Sequence, residues 1–142
     1  MYQDRFSTAA TPPRPVVRPF RVFNRRLDWE ALFDEAIVDT GSDLSFIPRN
    51  NYGDLLNAAE LAEIPLDADI ARIVGMTGEE RQAPLVLLSF GIPGLGLELS
   101  ATFVLYGLHA IIGRNILNSF NVYLEGVPAR SSESPTLRID RI

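Results

Sequence analysis

The stretch EAIVDTGSDLSFIP, Glu35 to Pro48, sets Ala36, Ile37 and Val38 directly against Asp39-Thr40-Gly41-Ser42, and a second apolar run follows Asp43. Asp, Thr, Gly and Ser are turn formers: the polar side chains bond to nearby backbone and glycine tolerates unusual dihedrals. Taken alone, the four letters describe a turn between two strands. The competing reading is that the Asp39 carboxylate is held at a strand end for chemistry. The rest of the chain decides between them.

Moving outward, residues 1–15 are rich in Pro, Ser, Thr and Ala and read as a flexible amino-terminal arm, with a single domain over 16–142. VVRPFRVFN (16–24) alternates apolar and basic positions, RRLDWEA turns, and LFDEAIVD (32–39) returns as a strand ending at Asp39. LSFIP is a short strand stopped by Pro48. Residues 52–64 place Leu55, Leu56, Ala59 and Leu61 at helical spacing, and Pro65 closes that helix. Residues 68–92 read as two strands folded about Gly75-Met76-Thr77-Gly78, whose glycines permit a tight tip. LGLELSATFVLY (95–106) and HAIIG (109–113) are further strands, GRNILNSF gives a turn or two of helix, and NVYLEG and TLRIDRI complete the pattern. Many short strands with one or two short helices make the chain mainly β, a sandwich or barrel.

Composition narrows the function. There is no cysteine, which removes disulfides, thiolate metal sites and a cysteine nucleophile. His109 is the only histidine, so neither a Ser-His pair nor a histidine metal cluster has material to build on, and a structural role is expected for it. GIPGLG lacks the spacing of a dinucleotide loop. Trp29, beside Leu27 and Leu32, reads as hairpin packing, and Asp67, Asp69, Glu79 and Glu80 as solvated acids. The longest apolar region, Leu85–Leu108, is interrupted by Ser89, Gly91, Pro93, Gly94, Gly96, Glu98 and Ser100, so no membrane span is expected. The amino terminus lacks the continuous apolar core of a signal peptide, which makes a cytoplasmic location the default.

Charge is uneven. Residues 1–26 hold six arginines against Asp4, a net +5, which leaves −10 on residues 27–142 out of the total of −5. Such a basic arm binds nucleic acid or membrane in some proteins, but docking on its own acidic domain or on a second subunit is the favoured use here.

A second segment decides the reading of Asp39. Some seventy residues on lies Ala110-Ile111-Ile112-Gly113-Arg114-Asn115-Ile116-Leu117. A strand running into Asp-Thr-Gly-Ser, an apolar run, a glycine-tipped hairpin and an apolar-apolar-Gly-Arg-Asn segment before a short helix form an ordered series. The series resembles the retropepsin-like aspartic proteases, single-domain relatives of pepsin found in retroviruses and some bacteria, and the likeness runs from about Val16 to Gly126.

The resemblance implies a mainly β, closed barrel-like acid protease fold with its active site on a homodimer two-fold, and an aspartic endopeptidase that needs no cofactor or metal. Asp39 would be the catalytic carboxylate, paired with Asp39 of a second chain because the sequence supplies only one D-T-G. Thr40 would bond across the axis, Gly41 would let backbone approach substrate, and Ser42 would donate to the outer oxygen of Asp39. Ile112 and Gly113 would run beneath that loop, with Asp43 and Arg114 as a partly buried, loop-bracing ion pair. Gly75, Met76, Thr77 and Gly78 would form the tip of a substrate-covering flap, although no tyrosine stands there. The partners expected are a second copy and a peptide or protein substrate, with TLRIDRI and the arginine-rich arm at the subunit interface; no nucleic acid or membrane is expected. Two rival expectations stand beside this one: a catalytically inactive dimerisation or binding module of the same fold, and a nucleic-acid-binding β-barrel that uses the basic arm.

Overall fold

A computed structural model of the chain describes residues 1–96, 98–128 and 133–142. The chain is mainly β, and its larger sheet curls into a half-barrel. Strands β1 (Tyr2–Arg5), β2 (Val16–Val17), β3 (Phe20–Asn24), β4 (Trp29–Phe33), β5 (Ala36–Val38) and β6 (Ser45–Ile47) precede helix α1 (Asn51–Ala62). After it come β7 (Ala68–Val74), β8 (Glu80–Gly91), β9 (Leu99–Leu105), β10 (Ile111–Ile112), helix α2 (Arg114–Leu117), β11 (Phe120–Glu125) and β12 (Thr136–Arg141). Leu97, expected within the strand that becomes β9, lies outside the described residues.

The large sheet has the order β2-β5-β10-β6-β9-β8-β3-β4, with β7 attached to β8. β8 is long enough to serve three neighbours in turn: β7 along Glu80–Val86, β9 along Leu85–Phe90 and β3 along Ser89–Gly91. β10 pairs in parallel with β5 and antiparallel with β6, which sets it between the two halves of the opening stretch. A smaller sheet has the order β1-β12-β11.

Two runs expected to be continuous strands are broken. VVRPFRVFN divides at Arg18-Pro19, where β2 pairs with β5 and β3 with β4 and β8; proline has no N–H to continue a ladder. LFDEAIVD divides at Asp34-Glu35, where the chain leaves β3 and joins β2 and β10. The first residues also differ from a flexible arm. β1 pairs with β12 from Tyr2↔Ile139 to Arg5↔Thr136, because Tyr2 is buried and its hydroxyl donates to Val16 O at 3.0 Å and accepts from the Arg18 amide at 2.8 Å.

The core is built on Phe20, Phe90 and Phe103, with ring centroids 6.0–6.3 Å apart in tilted and edge-on arrangements suited to the ring quadrupole. Leu27, Trp29, Val86 and Leu88 belong to the same cluster as Leu55 and Ala59 of α1, and Trp29 is core packing. α1 buries Leu55 and Ala59, whereas Leu56 and Leu61 face solvent, so its apolar stripe is narrower than its spacing suggests. It ends at Glu63, in the left-handed region at φ 56°, where the Glu63 and Ile64 amides close the last turn onto Glu60 O and Ala59 O.

Candidate functional site

Asp39 follows β5 at the point where the sheet gives way to a loop. The Asp39 amide donates to Ile112 O at 2.9 Å, continuing the β5–β10 ladder through the residue itself. Its carboxylate accepts from the Gly41 amide at 2.9 Å, a side-chain-closed turn that fixes the acid to its own loop. The Ser42 amide donates to Asp39 O at 3.3 Å. Asp39, Thr40 and Gly41 are all exposed in the single chain.

The second segment packs beneath this loop. The Arg114 amide donates to Ser42 O at 2.8 Å and the Asn115 amide to Asp43 O at 3.3 Å. A Cβ on Gly113 would lie 2.0 Å from Leu44 O and 2.6 Å from Leu44 C, so only glycine lets the two backbones meet. The dihedrals of Gly113, φ −100° and ψ −173°, suit any residue. The requirement is therefore one of space.

Behind the loop lies a polar knot. Ser45, fully buried, accepts from the Gly113 amide at 2.9 Å and donates to Asn115 Oδ1 at 2.6 Å; Asn115 Nδ2 in turn donates to Thr102 O at 3.0 Å. With these partners made, a buried hydroxyl and a half-buried amide become ties between β6, α2 and β9. Sequence reasoning passed over Ser45. The one signal was a hydroxyl at the inward position of an otherwise apolar strand, and its partner lies 70 residues away.

Asp43 and Arg114 form the expected ion pair, but not a partly buried one: the side chains are 81% and 49% exposed. The backbone bonds of residues 113–115 hold this loop more than the ion pair does, since an exposed pair contributes at most about 1 kcal/mol. The Ser42 hydroxyl does not turn to Asp39. It donates to Leu44 O at 2.7 Å, a local bond that takes up its one proton.

The β7–β8 hairpin tip closes by Gly75 N to Glu79 O at 2.8 Å and Gly78 N to Gly75 O at 3.0 Å. Of the two tip glycines only Gly78 uses positive φ, at 80°. Met76 projects fully into solvent and Thr77 is exposed beside it. Below the hairpin an apolar cavity of about 270 Å³ is lined by Phe46, Ile73, Tyr106, Leu108, His109 and Ile111. It therefore spans from the hairpin to β10, whose Ile111 is in register with Ile37, two residues before Asp39. His109 is exposed at its edge. Among the described residues no group of three His, Cys, Asp or Glu is placed to hold a metal ion, and no helix is long and apolar enough to cross a membrane. No family model and no curated protein matches the chain.

Proposed function

We propose that the chain is an aspartic endopeptidase of retropepsin type that works as a homodimer, with Asp39 from each of two chains forming the catalytic dyad. The observation that carries this reading is the wedge of residues 112–115 under an exposed Asp39 loop, with Gly113 in backbone contact that any side chain would block. A plain turn needs no such support from a segment seventy residues away. An apolar cavity under a glycine-tipped hairpin supplies a place for an extended peptide, which would pair with the hairpin as an added strand.

In the proposed reaction the ionised carboxylate takes a proton from water as the water oxygen attacks the peptide carbonyl carbon. The protonated carboxylate polarises the carbonyl oxygen. Proton delivery to the amide nitrogen then accompanies C–N cleavage, releasing a carboxyl and an amine. Two carboxylates about 3 Å apart cannot both ionise, so the pair shares one proton and its apparent pKa values belong to the dyad.

A single chain brings one such aspartate. β12, expected at the subunit contact, is paired with β11 along its length and with β1 along Thr136–Ile139. The second copy would meet this small sheet at the outer edge of β11, where Tyr123 and Leu124 are exposed. The test is cleavage of denatured protein by wild type and Asp39→Asn between about pH 4 and 7, alongside sedimentation at micromolar concentration. Wild type should cleave as a dimer, and the variant should be a folded dimer with activity lower by about 10²- to 10⁴-fold. Equal cleavage by both, or a folded dimer of wild type that cleaves nothing, defeats the protease reading.

A further inference from the structure

The apolar cavity has a larger and more polar neighbour. Across the Tyr106–Leu108 loop, and sharing those three residues as a wall, lies a cavity of about 770 Å³ lined also by Phe33, Arg49, Asn50 and Asn51. Arg49 is exposed, and among the described residues no carboxylate stands within ion-pair distance of it. Seven other arginines hold a carboxylate; among the described residues Arg49 shares its lack of one with Arg5, Arg14, Arg26 and Arg141, and it is set apart from these by standing beside the apolar cavity under the hairpin. The neighbouring Asn50 side chain makes no capping bond to α1. The amides of Asn51 and Tyr52 already donate to Pro48 O and Arg49 O, at 3.1 Å each. The recognition group of this cavity is therefore the Arg49 side chain rather than the helix end.

We infer that Arg49 is a specificity-determining residue that selects peptide substrates carrying an acidic side chain a few residues from the apolar one held under the hairpin. This rests on the peptidase reading above and adds a substrate class to it. The two cavities share Tyr106, Gly107 and Leu108, a bend with Gly107 at positive φ, so a peptide lying in both passes over a single bend of chain and places its acidic and apolar side chains a few residues apart. A planar guanidinium takes a carboxylate in two parallel hydrogen bonds, which neutral amides cannot reproduce. The net charge of −5 opposes acidic peptides in general, so this preference belongs to the cavity and not to the surface as a whole.

The test uses peptides with one bulky apolar residue and, three or four positions away on either side, Glu, Gln or Lys. Wild type, Arg49→Ala and Arg49→Glu are compared by kcat/KM, and the same peptides, fluorescently labelled, are titrated onto Asp39→Asn and Asp39→Asn/Arg49→Ala by anisotropy. Wild type should favour Glu over Gln by about ten-fold, the Arg49→Ala ratio should fall to near one, and Arg49→Glu should favour Lys. A wild-type ratio near one, or an unchanged ratio in Arg49→Ala, overturns the inference while leaving the peptidase reading intact. If nothing is cleaved, the peptidase reading fails, and anisotropy alone decides on Arg49. A Glu preference lost in the double variant supports its role in recognition, and equal binding of all three peptides overturns it.

Discussion

Gly113 shows how one hydrogen atom in place of a methyl group fixes the position of a carboxylate. The contact at 2.0 Å from the notional Cβ is with backbone, which cannot swing aside as a long side chain can. Gly113→Ala must either push Leu44 away or give up the Gly113–Ser45 and Arg114–Ser42 bonds. Overpacking of this kind costs about 1–3 kcal/mol, so the melting temperature should drop by roughly 3–12 °C, and cleavage should fall further because the Asp39 loop moves with residues 42–44. Gly53→Ala is the matching control. Nothing lies within 4 Å of its Cβ and it sits inside α1, so that change should stabilise by about 0.5–1 kcal/mol. Melting curves for the two variants check both halves, and a Gly113→Ala protein that melts like wild type would show that the backbones do not need their close approach.

At the scale of elements, the readable features were those whose cause is local. Pro65 beyond α1 and the glycines at the hairpin tip each announce themselves within a few residues, and those elements stand where their signals lie, whereas the strand expected over 95–106 is the shorter Leu99–Leu105. The breaks at Arg18-Pro19 and Asp34-Glu35 were not readable in that way, because each marks a change of partner strand. β1 was hidden for a related reason: one buried aromatic in a polar segment leaves no periodic trace. The Asp39 and Gly113 segments were legible together through their order, but the knot of Ser45 and Asn115 needs two distant residues and one register. The Asp43–Arg114 pair illustrates why a charge match in sequence says little about strength. Asp43 is largely solvated and Arg114 about half so, and a double-mutant cycle with Asp43→Ala and Arg114→Ala should return a coupling below about 1 kcal/mol. Arg114→Ala should also cost less stability than Gly113→Ala, since the Arg114 amide keeps its bond to Ser42 O. A coupling of several kcal/mol would mean that the ion pair, and not the backbone, holds the loop.

Over the whole molecule, the uneven charge is partly resolved within the chain, through Arg21–Glu30 and the contacts of Arg21 and Arg25 with Glu98. A further pair, Arg18–Asp4, lies within the first 26 residues and ties the two sheets together. Tyr2 and Asp4 stand on β1 in the small sheet, and the Tyr2 hydroxyl and the Asp4 carboxylate meet Val16 and Arg18 at the end of β2 in the large one. The hydrogen bond from Arg18, at 3.0 Å, holds the Asp4 carboxyl below the usual carboxylate range. Its contribution is therefore complete above the unfolded value near 3.9 and is lost as pH falls through the lower folded one. Burial raises the Tyr2 phenol, so the folded state prefers it neutral, and this contribution begins to fade as pH rises past about 10. Asp4 and Arg18 are about a third exposed, so after solvent screening the ion pair contributes no more than about 1 kcal/mol. Asp4→Asn should thus melt roughly 2–5 °C below wild type at pH 7, with the gap closing below about pH 4 as the wild-type carboxylate is protonated. Tyr2→Phe gives the opposite limb: a deficit at neutral pH from the lost hydroxyl bonds, and a flatter decline than wild type above about pH 10. Melting curves from pH 3 to 11 at fixed ionic strength would record both. A gap between Asp4→Asn and wild type that stays constant from pH 7 down to 3 would mean that the charge of Asp4 does not join the two sheets.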